Sequence, residues 1–163
     1  MLEVVSNSGP LIALAEINQF LLLQQLFGEL SIPSAVYTEV VVDGAGQPGA
    51  KETAEADWIK TVEVQDRLAV DLLRDELGPG QSEAIVLATE LSADYLLLDD
   101  LKARRKARHL GLRVSGTLGV LLMAKAAGLV KEVKPLLDQL WKTDLRMSPE
   151  VYQDVLAKAG EPP

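Results

Sequence analysis

Oxygen-bearing side chains stand beside predicted strand ends and helix starts in four separated segments of this chain. They belong to Asn7, Glu39, Glu83 and the adjacent pair Asp99 and Asp100. The pair directly follows the apolar run 95–98, which is typical of a buried strand, and Asn7 lies just after the first apolar run. In an open parallel sheet, groups just past the carboxyl ends of strands converge on one crevice. Carboxylates gathered there repel one another and need a cation or shared protons, so the pattern indicates a divalent-metal site.

The composition restricts such a metal to one that takes oxygen ligands. The 163-residue chain has no cysteine and a single histidine, His109, which excludes Cys-ligated zinc, thiolate catalysis and His-rich sites. The remaining donors are oxygens, which select magnesium, manganese or calcium. The absence of cysteine fits a cytoplasmic protein, and no apolar run approaches the roughly 18 residues of a membrane span.

A dense basic segment follows directly after the two adjacent aspartates. Its cations are Lys102, Arg104, Arg105, Lys106, Arg108, His109 and Arg113. The net charge of −8 argues against indiscriminate binding of nucleic acid, so the segment has to be judged by itself. Either its cations hold phosphates, or they form a solvated helix face that pairs with the excess acids of the chain.

The elements that must position these side chains alternate between short strands and helices. Predicted strands cover residues 2–6, 29–32, 58–64, 95–98 and 112–115. Predicted helices cover residues 10–26, 33–42, 50–56, 66–77, 81–91, 101–110, 117–127, 131–141 and 148–159. This alternation implies crossover connections and a parallel sheet covered on both faces. We therefore expect one α/β domain over residues 1–163, with the C-terminal helices at 131–159 packed on its core.

Turn residues and apolar spacing add local expectations. Ser8 is predicted to cap the helix that starts near Pro10, and Thr117 is predicted to cap the helix 117–127. On the helix 66–77, four leucines are expected to group on one side. They are Leu68, Leu72, Leu73 and Leu77.

Ordinary structural roles are an alternative for each candidate site residue. The amide or hydroxyl before the first helix would cap it, Asp99 or Asp100 would cap the basic helix, and Glu83 would offset a helix dipole. Glu39 would be an exposed residue of an amphipathic helix. A GxGxxG match at residues 44–49 follows a helix rather than a strand, so it indicates a surface loop and not a dinucleotide site.

The order and spacing of four segments resemble those of the PIN-domain superfamily. The segments read SNSGPLIAL, IPSAVYTEV, GQSEAIVLA and LLLDDLKARRKARHLGLRVSGTLGVLL, with RMSPEVYQDVLAKAG near the C-terminus. The resemblance covers residues 4–160 and points to the prokaryotic toxin-type, DUF3368-like branch, whose members often lie beside small antitoxin-like proteins. It implies a three-layer α/β/α sandwich with a central parallel sheet. It also implies an acidic pocket that cleaves RNA with Mg²⁺ or Mn²⁺.

The resemblance further assigns roles by position. Its four acidic positions fall on Asn7, Glu39, Glu83 and Asp99, with Asp100 as a neighbour of the metal site and Ser8, Thr38 and Thr117 in support. The cations expected to hold flanking RNA phosphates are Lys102, Arg104, Arg105 and Arg108. The implied partners are RNA, a small antitoxin-like protein and a second copy of the chain in a homodimer.

The residue at position 7 departs from the family's pattern, which has an acid there. The amide of Asn7 can ligate magnesium, but it carries no charge and cannot act as a general base. Two functions stay open: a metal-dependent endoribonuclease of the toxin type, and a weakened or silent module that binds RNA or protein. A phosphoacceptor receiver domain is disfavoured, because the segments 6–8 and 115–117 lack the paired acid and the lysine that it needs.

Overall fold

A five-stranded parallel sheet carries the candidate residues in the computed structural model, which describes residues 2–163. The strands are β1 (Val4–Ser6), β2 (Leu30–Pro33), β3 (Ile59–Val62), β4 (Tyr95–Leu97) and β5 (Val114–Ser115). They lie in the order β3-β2-β1-β4-β5, and each pairing is parallel. The chain adds β2 and β3 on one side of β1, and it then crosses over to add β4 and β5 on the other side of β1. The strand order therefore reverses between β1 and β4.

Helices connect the strands and cover the sheet. They are α1 (Ser8–Glu16), α2 (Leu22–Phe27), α3 (Ser34–Tyr37), α4 (Ala50–Glu55), α5 (Arg67–Leu73), α6 (Pro79–Glu90), α7 (Leu101–His109), α8 (Thr117–Ala126), α9 (Lys134–Leu140) and α10 (Pro149–Ala159). Within residues 2–163, no helix combines the length and apolar composition that crossing a membrane would require.

Each face of the sheet builds its own apolar core, because neighbouring residues of a strand point to opposite sides. Val4 and Leu97 pack with α1, α2, α8, α9 and α10 on one face. Val5 and Leu96 pack with α5, α6 and α7 on the other face. Helices on both sides of a parallel sheet confirm the predicted three-layer α/β/α class.

The predicted helix 10–26 is wrong, because the chain breaks it into α1 and α2. Asn18 lies between the two helices with a φ of 58°, a left-handed conformation that asparagine tolerates better than most residues. The predicted cap is also wrong. Ser8 is the first residue of α1, and Asn7 occupies the N-cap position without a capping hydrogen bond from its side chain.

Two of the four leucines that the spacing groups on one side of helix 66–77 lie outside the core. Leu68 and Leu72 are 70% and 65% exposed, whereas Val70 is fully buried and points to the core. The helix ends at Leu73, so Leu77 reaches the core from the turn that follows. Only a narrow side of α5 therefore packs against the sheet.

A carboxylate near the C-terminus fastens the last helices together. The Glu161 carboxylate accepts hydrogen bonds from the backbone N–H groups of Val133, at 2.7 Å, and Lys134, at 3.1 Å. It also pairs with Lys125 Nζ at 2.8 Å. This C-terminal clasp of Glu161, Lys125, Val133 and Lys134 joins the segment that follows α10 to the end of α8 and the start of α9.

Candidate active site

The candidate site lies where the strand order reverses, between the carboxyl ends of β1 and β4. The register pairs Ser6 with Leu97, and the Asn7 N–H donates to the Leu97 carbonyl at 2.9 Å. Asn7 and Asp99 thus leave the sheet on neighbouring strands. A crevice outside such a reversal is the usual ligand site of open α/β sheets.

Asn7 and Glu39 face a shared space that exists because position 80 is glycine. Asn7 is 7% exposed, and its Oδ1 has no hydrogen-bond partner among the described residues. A Cβ placed on Gly80 would lie 3.3 Å from Asn7 Oδ1 and 3.1 Å from Glu39 Oε1. Gly80 is the second residue of α6, so the first turn of that helix forms one wall of the space.

A π-helical segment presents Glu39. The predicted helix 33–42 starts as α3 but continues as a π-helix over Thr38–Asp43, a form that often occurs at functional sites. Glu39 and its neighbour Thr38 are exposed, while Val40 turns into the core. The following Gly44 closes the segment, since a Cβ there would lie 2.5 Å from the Val40 carbonyl oxygen.

Glu83 is nearly buried and bound by two internal donors. Its Oε1 accepts the Ala35 N–H at 3.0 Å, and its Oε2 accepts Nη1 of Arg67 at 2.9 Å. The hydrogen bond to Glu83 raises the pKa of Arg67. No sequence pattern indicates this partner, because Arg67 begins a different helix 16 positions earlier and has the pattern of a surface cation.

Asp99 is held by the first residue of α8. Its Oδ1 accepts the Thr117 N–H at 2.7 Å, and its Oδ2 accepts the Thr117 hydroxyl at 2.6 Å. Burial raises the pKa of Asp99, while these hydrogen bonds and the charge of Arg104 oppose that shift. The prediction that Thr117 caps α8 is wrong, because Gly116 is the N-cap residue and Thr117 turns to Asp99.

Two glycines leave room for the Asp99 carboxylate. A Cβ on Gly116 would lie 2.6 Å from Asp99 Oδ1 and 2.5 Å from Arg104 Nη1. A Cβ on Gly9 would lie 3.2 Å from Asp99 Oδ2. Glycine at position 116 is therefore required for the close approach of these two side chains to the backbone of residue 116. Sequence reasoning missed both glycines, since the contacts join distant segments.

The remaining charged candidates divide between structural and exposed positions. Asp100 caps α7, accepting the Ala103 N–H at 2.9 Å. Arg104 donates Nη1 to the Leu98 carbonyl at 2.9 Å, and burial lowers its pKa, so this arginine fastens α7 to the end of β4. The exposed basic residues of this helix are Lys102, Arg105, Arg108 and His109.

Asn7 and Glu39 are the two residues whose side-chain oxygens are best placed to bind a metal ion. Within residues 2–163, no three Asp, Glu, His or Cys side chains form a group able to hold a metal ion. The amide oxygen of Asn7 is nevertheless buried and unpartnered, and a carboxylate oxygen of Glu39 adjoins the same space. Oxygen donors of this kind suit a hard divalent cation. The hydroxyl of Ser8, next to Asn7, is likewise buried without a hydrogen-bond partner in the described chain.

Comparison with known protein families shows to which family this chain belongs. A family model described as DUF3368, PIN domain, matches residues 3–161. The chain belongs to the PIN-domain family. No curated protein matches it. The nuclease-type fold of PIN domains agrees with the parallel sheet between helices, and the resemblance drawn from the four segments is confirmed.

In this PIN domain, the four side chains that the resemblance places at acidic positions differ in charge and in hydrogen bonding. Asn7 stands where an acid is expected, and Glu39 is the carboxylate that shares its space. Glu83 and Asp99 both have their carboxylate oxygens engaged by donors of the protein itself. The negative charge of the crevice is therefore partly offset before any ion binds.

Proposed function

We propose that this PIN domain is a divalent-metal-dependent endoribonuclease and the toxin component of a toxin–antitoxin pair. The observation that supports the proposal best is the buried, unpartnered Oδ1 of Asn7 beside Glu39 Oε1, in the space that Gly80 leaves open. A buried amide oxygen without a partner is costly, so it calls for a ligand. The adjacent carboxylate indicates that the ligand is a cation.

Mg²⁺ or Mn²⁺ would be held by Asn7 and Glu39, with Glu83, Asp99 and the neighbouring Asp100 as the further oxygen donors. When bound, the ion would lower the pKa of water and offset charge on the attacked phosphate. The protein orients its own groups for this purpose. Thr117 fixes both oxygens of Asp99, and Ala35 fixes one oxygen of Glu83.

The exposed cations of α7 would hold the RNA. Lys102, Arg105 and Arg108 follow one another at intervals of three residues, which places them along one helix side at steps of about 4.5 Å. Arg104, also a candidate, is already bound to the Leu98 carbonyl and would act through the position of α7. Contacts between such cations and phosphates supply most of the non-specific affinity for nucleic acids.

The proposal also includes the partners and the cellular location that the resemblance to toxin-type PIN domains implies. These are a homodimer, a small antitoxin-like protein as partner, and the cytoplasm, where a chain without cysteine is unaffected by the reducing conditions. Size-exclusion chromatography with light scattering measures the first of these. A mass near that of two chains is expected, and a monomer at all concentrations would contradict it.

Cleavage of single-stranded RNA tests the enzymatic proposal. RNAs of varied sequence are incubated with the protein and Mn²⁺, or with EDTA, and separated on gels. We expect cleavage with Mn²⁺ and none with EDTA or in the double variant Glu83→Ala/Asp99→Ala. The surface double variant Glu29→Ala/Asp154→Ala is the matched control and should cleave normally. Cleavage that survives EDTA or the site variant would overturn the proposal.

A catalytically silent module that binds RNA or protein is the second candidate. The observations that favour it are the missing charge at Asn7 and the engagement of Glu83 by Arg67. Tight RNA binding without cleavage, even after a carboxylate is restored at position 7, would support this function over the first.

A further inference from the structure

The ion pair between Arg67 and Glu83 involves a carboxylate of the candidate site. The side chain of Glu83 is 10% exposed, whereas that of Arg67 is 55% exposed. The exposed arginine thus reaches inward to a nearly buried carboxylate at one of the family's acidic positions. Since Ala35 occupies Oε1, the guanidinium covers the oxygen that is left.

The start of α5 is fixed so that this arginine reaches Glu83. The Glu90 carboxylate, at the end of α6, accepts the backbone N–H groups of Gln65 and Asp66. Asp66 in turn caps α5 by accepting the Ala69 N–H at 3.0 Å. Glu90 and Glu83 lie about two turns apart on α6, and both bind the segment in which α5 begins. These hydrogen bonds hold the start of α5 in the position from which Arg67 reaches Glu83.

We propose that Arg67 is an internal counter-ion that competes with a divalent cation for Glu83. The inference rests on the proposed function in taking Glu83 as a metal ligand. A nearly buried carboxylate without a cation is unfavourable, and Arg67 supplies that cation in the ion-free protein. A divalent ion at Oε2 and a guanidinium at the same oxygen repel each other, so binding of the ion releases the arginine. Its exposed side chain can then extend into water.

This competition makes metal affinity depend on Arg67 as a positioning residue. Removing its charge leaves Glu83 free for the ion and removes the repulsion. The variant Arg67→Gln should therefore bind Mn²⁺ more tightly than the wild type, by about tenfold, because the repulsion from a neighbouring positive charge is gone. Arg67→Lys keeps a competing cation and should stay close to the wild type.

Direct Mn²⁺ binding to the full-length protein, measured by electron paramagnetic resonance without RNA, tests the inference. Lys60→Gln, which breaks the exposed pair of Lys60 Nζ with Glu29 at 3.1 Å, is the matched control and should leave the affinity unchanged. Thermal melting in EDTA establishes that each variant is folded. Equal or weaker Mn²⁺ binding in Arg67→Gln, or no binding in either protein, would overturn the inference.

A measurement on the wild type keeps the test independent of variant folding. The side-chain Nε–H resonance of Arg67 should move towards that of a solvated arginine as Mg²⁺ is added, whereas a resonance that does not move counts against release. RNA cleavage is scored separately. Tighter Mn²⁺ binding without cleavage would support the inference and contradict the nuclease, while cleavage with unchanged affinity would do the reverse.

Discussion

The amide at position 7 sets the charge of the crevice. The variant Asn7→Asp would place a second carboxylate beside Glu39, across the space at Gly80. We expect tighter Mn²⁺ binding, faster RNA cleavage and, in EDTA, a free energy of unfolding lower by about 1–2 kcal/mol, because the new buried carboxylate is repelled by that of Glu39. Calorimetry, gel assays and urea unfolding measure the three effects.

The control for this variant makes the same chemical change elsewhere. Asn18→Asp alters an exposed asparagine between α1 and α2 and should leave metal affinity and cleavage as they are. If Asn7→Asp binds Mn²⁺ no better than Asn18→Asp, then position 7 does not contact the ion.

A second effect at the residue scale is the contribution of Asp99 to the pH dependence of the free energy of unfolding. Burial raises the pKa of Asp99, so the folded protein holds the carboxyl proton more tightly than the unfolded chain does. The free energy of unfolding of the metal-free protein should therefore fall as pH rises from the unfolded value, near 3.8, through the raised folded value. Asp99→Asn should remove this decrease and stabilise the protein at pH 7 by about 1 kcal/mol.

Urea unfolding in EDTA at several pH values measures this contribution. Asp154→Asn, on the exposed side of α10, is the control and should behave like the wild type, apart from its surface ion pair with Lys158. An Asp99→Asn protein that is less stable than the wild type at pH 7 would show that the hydrogen bonds from Thr117 outweigh the cost of burial.

At the scale of elements, α7 is the candidate RNA contact. The triple variant Lys102→Ala/Arg105→Ala/Arg108→Ala removes exposed cations and leaves the buried Ala103 and Ala107 in place. Its RNA dissociation constant should rise at least about tenfold, and the slope of log affinity against log salt should weaken by about 2. Fluorescence anisotropy at several salt concentrations measures both.

An equal loss of positive charge elsewhere is the control for that variant. Alanine replacements at the exposed lysines 51, 131 and 142 change the net charge by the same amount. If these replacements weaken RNA binding as much as the α7 variant does, the effect comes from overall charge, and α7 has no specific role.

The helices and strands were largely predictable, because apolar residues recur with different periods in the two, and because glycine and proline mark where an element ends. The break at Asn18 was missed, since the apolar pattern of helix 10–26 runs through it without interruption. The exposed side of α5 was missed because Leu68 and Leu72 fit an amphipathic pattern that the packing does not use. Local pattern specifies that an element forms, whereas packing decides where it ends and which side it buries.

The candidate site was predictable only in part for a related reason. The strand order places Asn7 and Asp99 on neighbouring strands, and a parallel sheet made that expectation possible from sequence. The ion pair of Arg67 with Glu83 and the close approach allowed by Gly116 join segments that are far apart in the chain. Contacts of this kind leave no periodic signal, so they became visible only in the folded chain.

At the scale of the whole molecule, the C-terminal clasp holds the last three helices to one another. Glu161→Ala would leave the N–H groups of Val133 and Lys134 and the charge of Lys125 without their partner. We expect the free energy of unfolding to fall by about 2 kcal/mol. Glu150→Ala, an exposed change in the first turn of α10, is the control, and an equal loss there would argue against the clasp.

The position of Glu161 also orders events during synthesis. Its three partners at 125, 133 and 134 leave the ribosome well before it does, so the junction between α8 and α9 stays unfastened until Glu161 has also emerged. A nascent PIN domain would then carry a finished crevice at the ends of β1 and β4 while its tail is still loose. Ribosome-bound chains that stop before residue 161 should therefore be cut by protease between α8 and α10 far more readily than released ones.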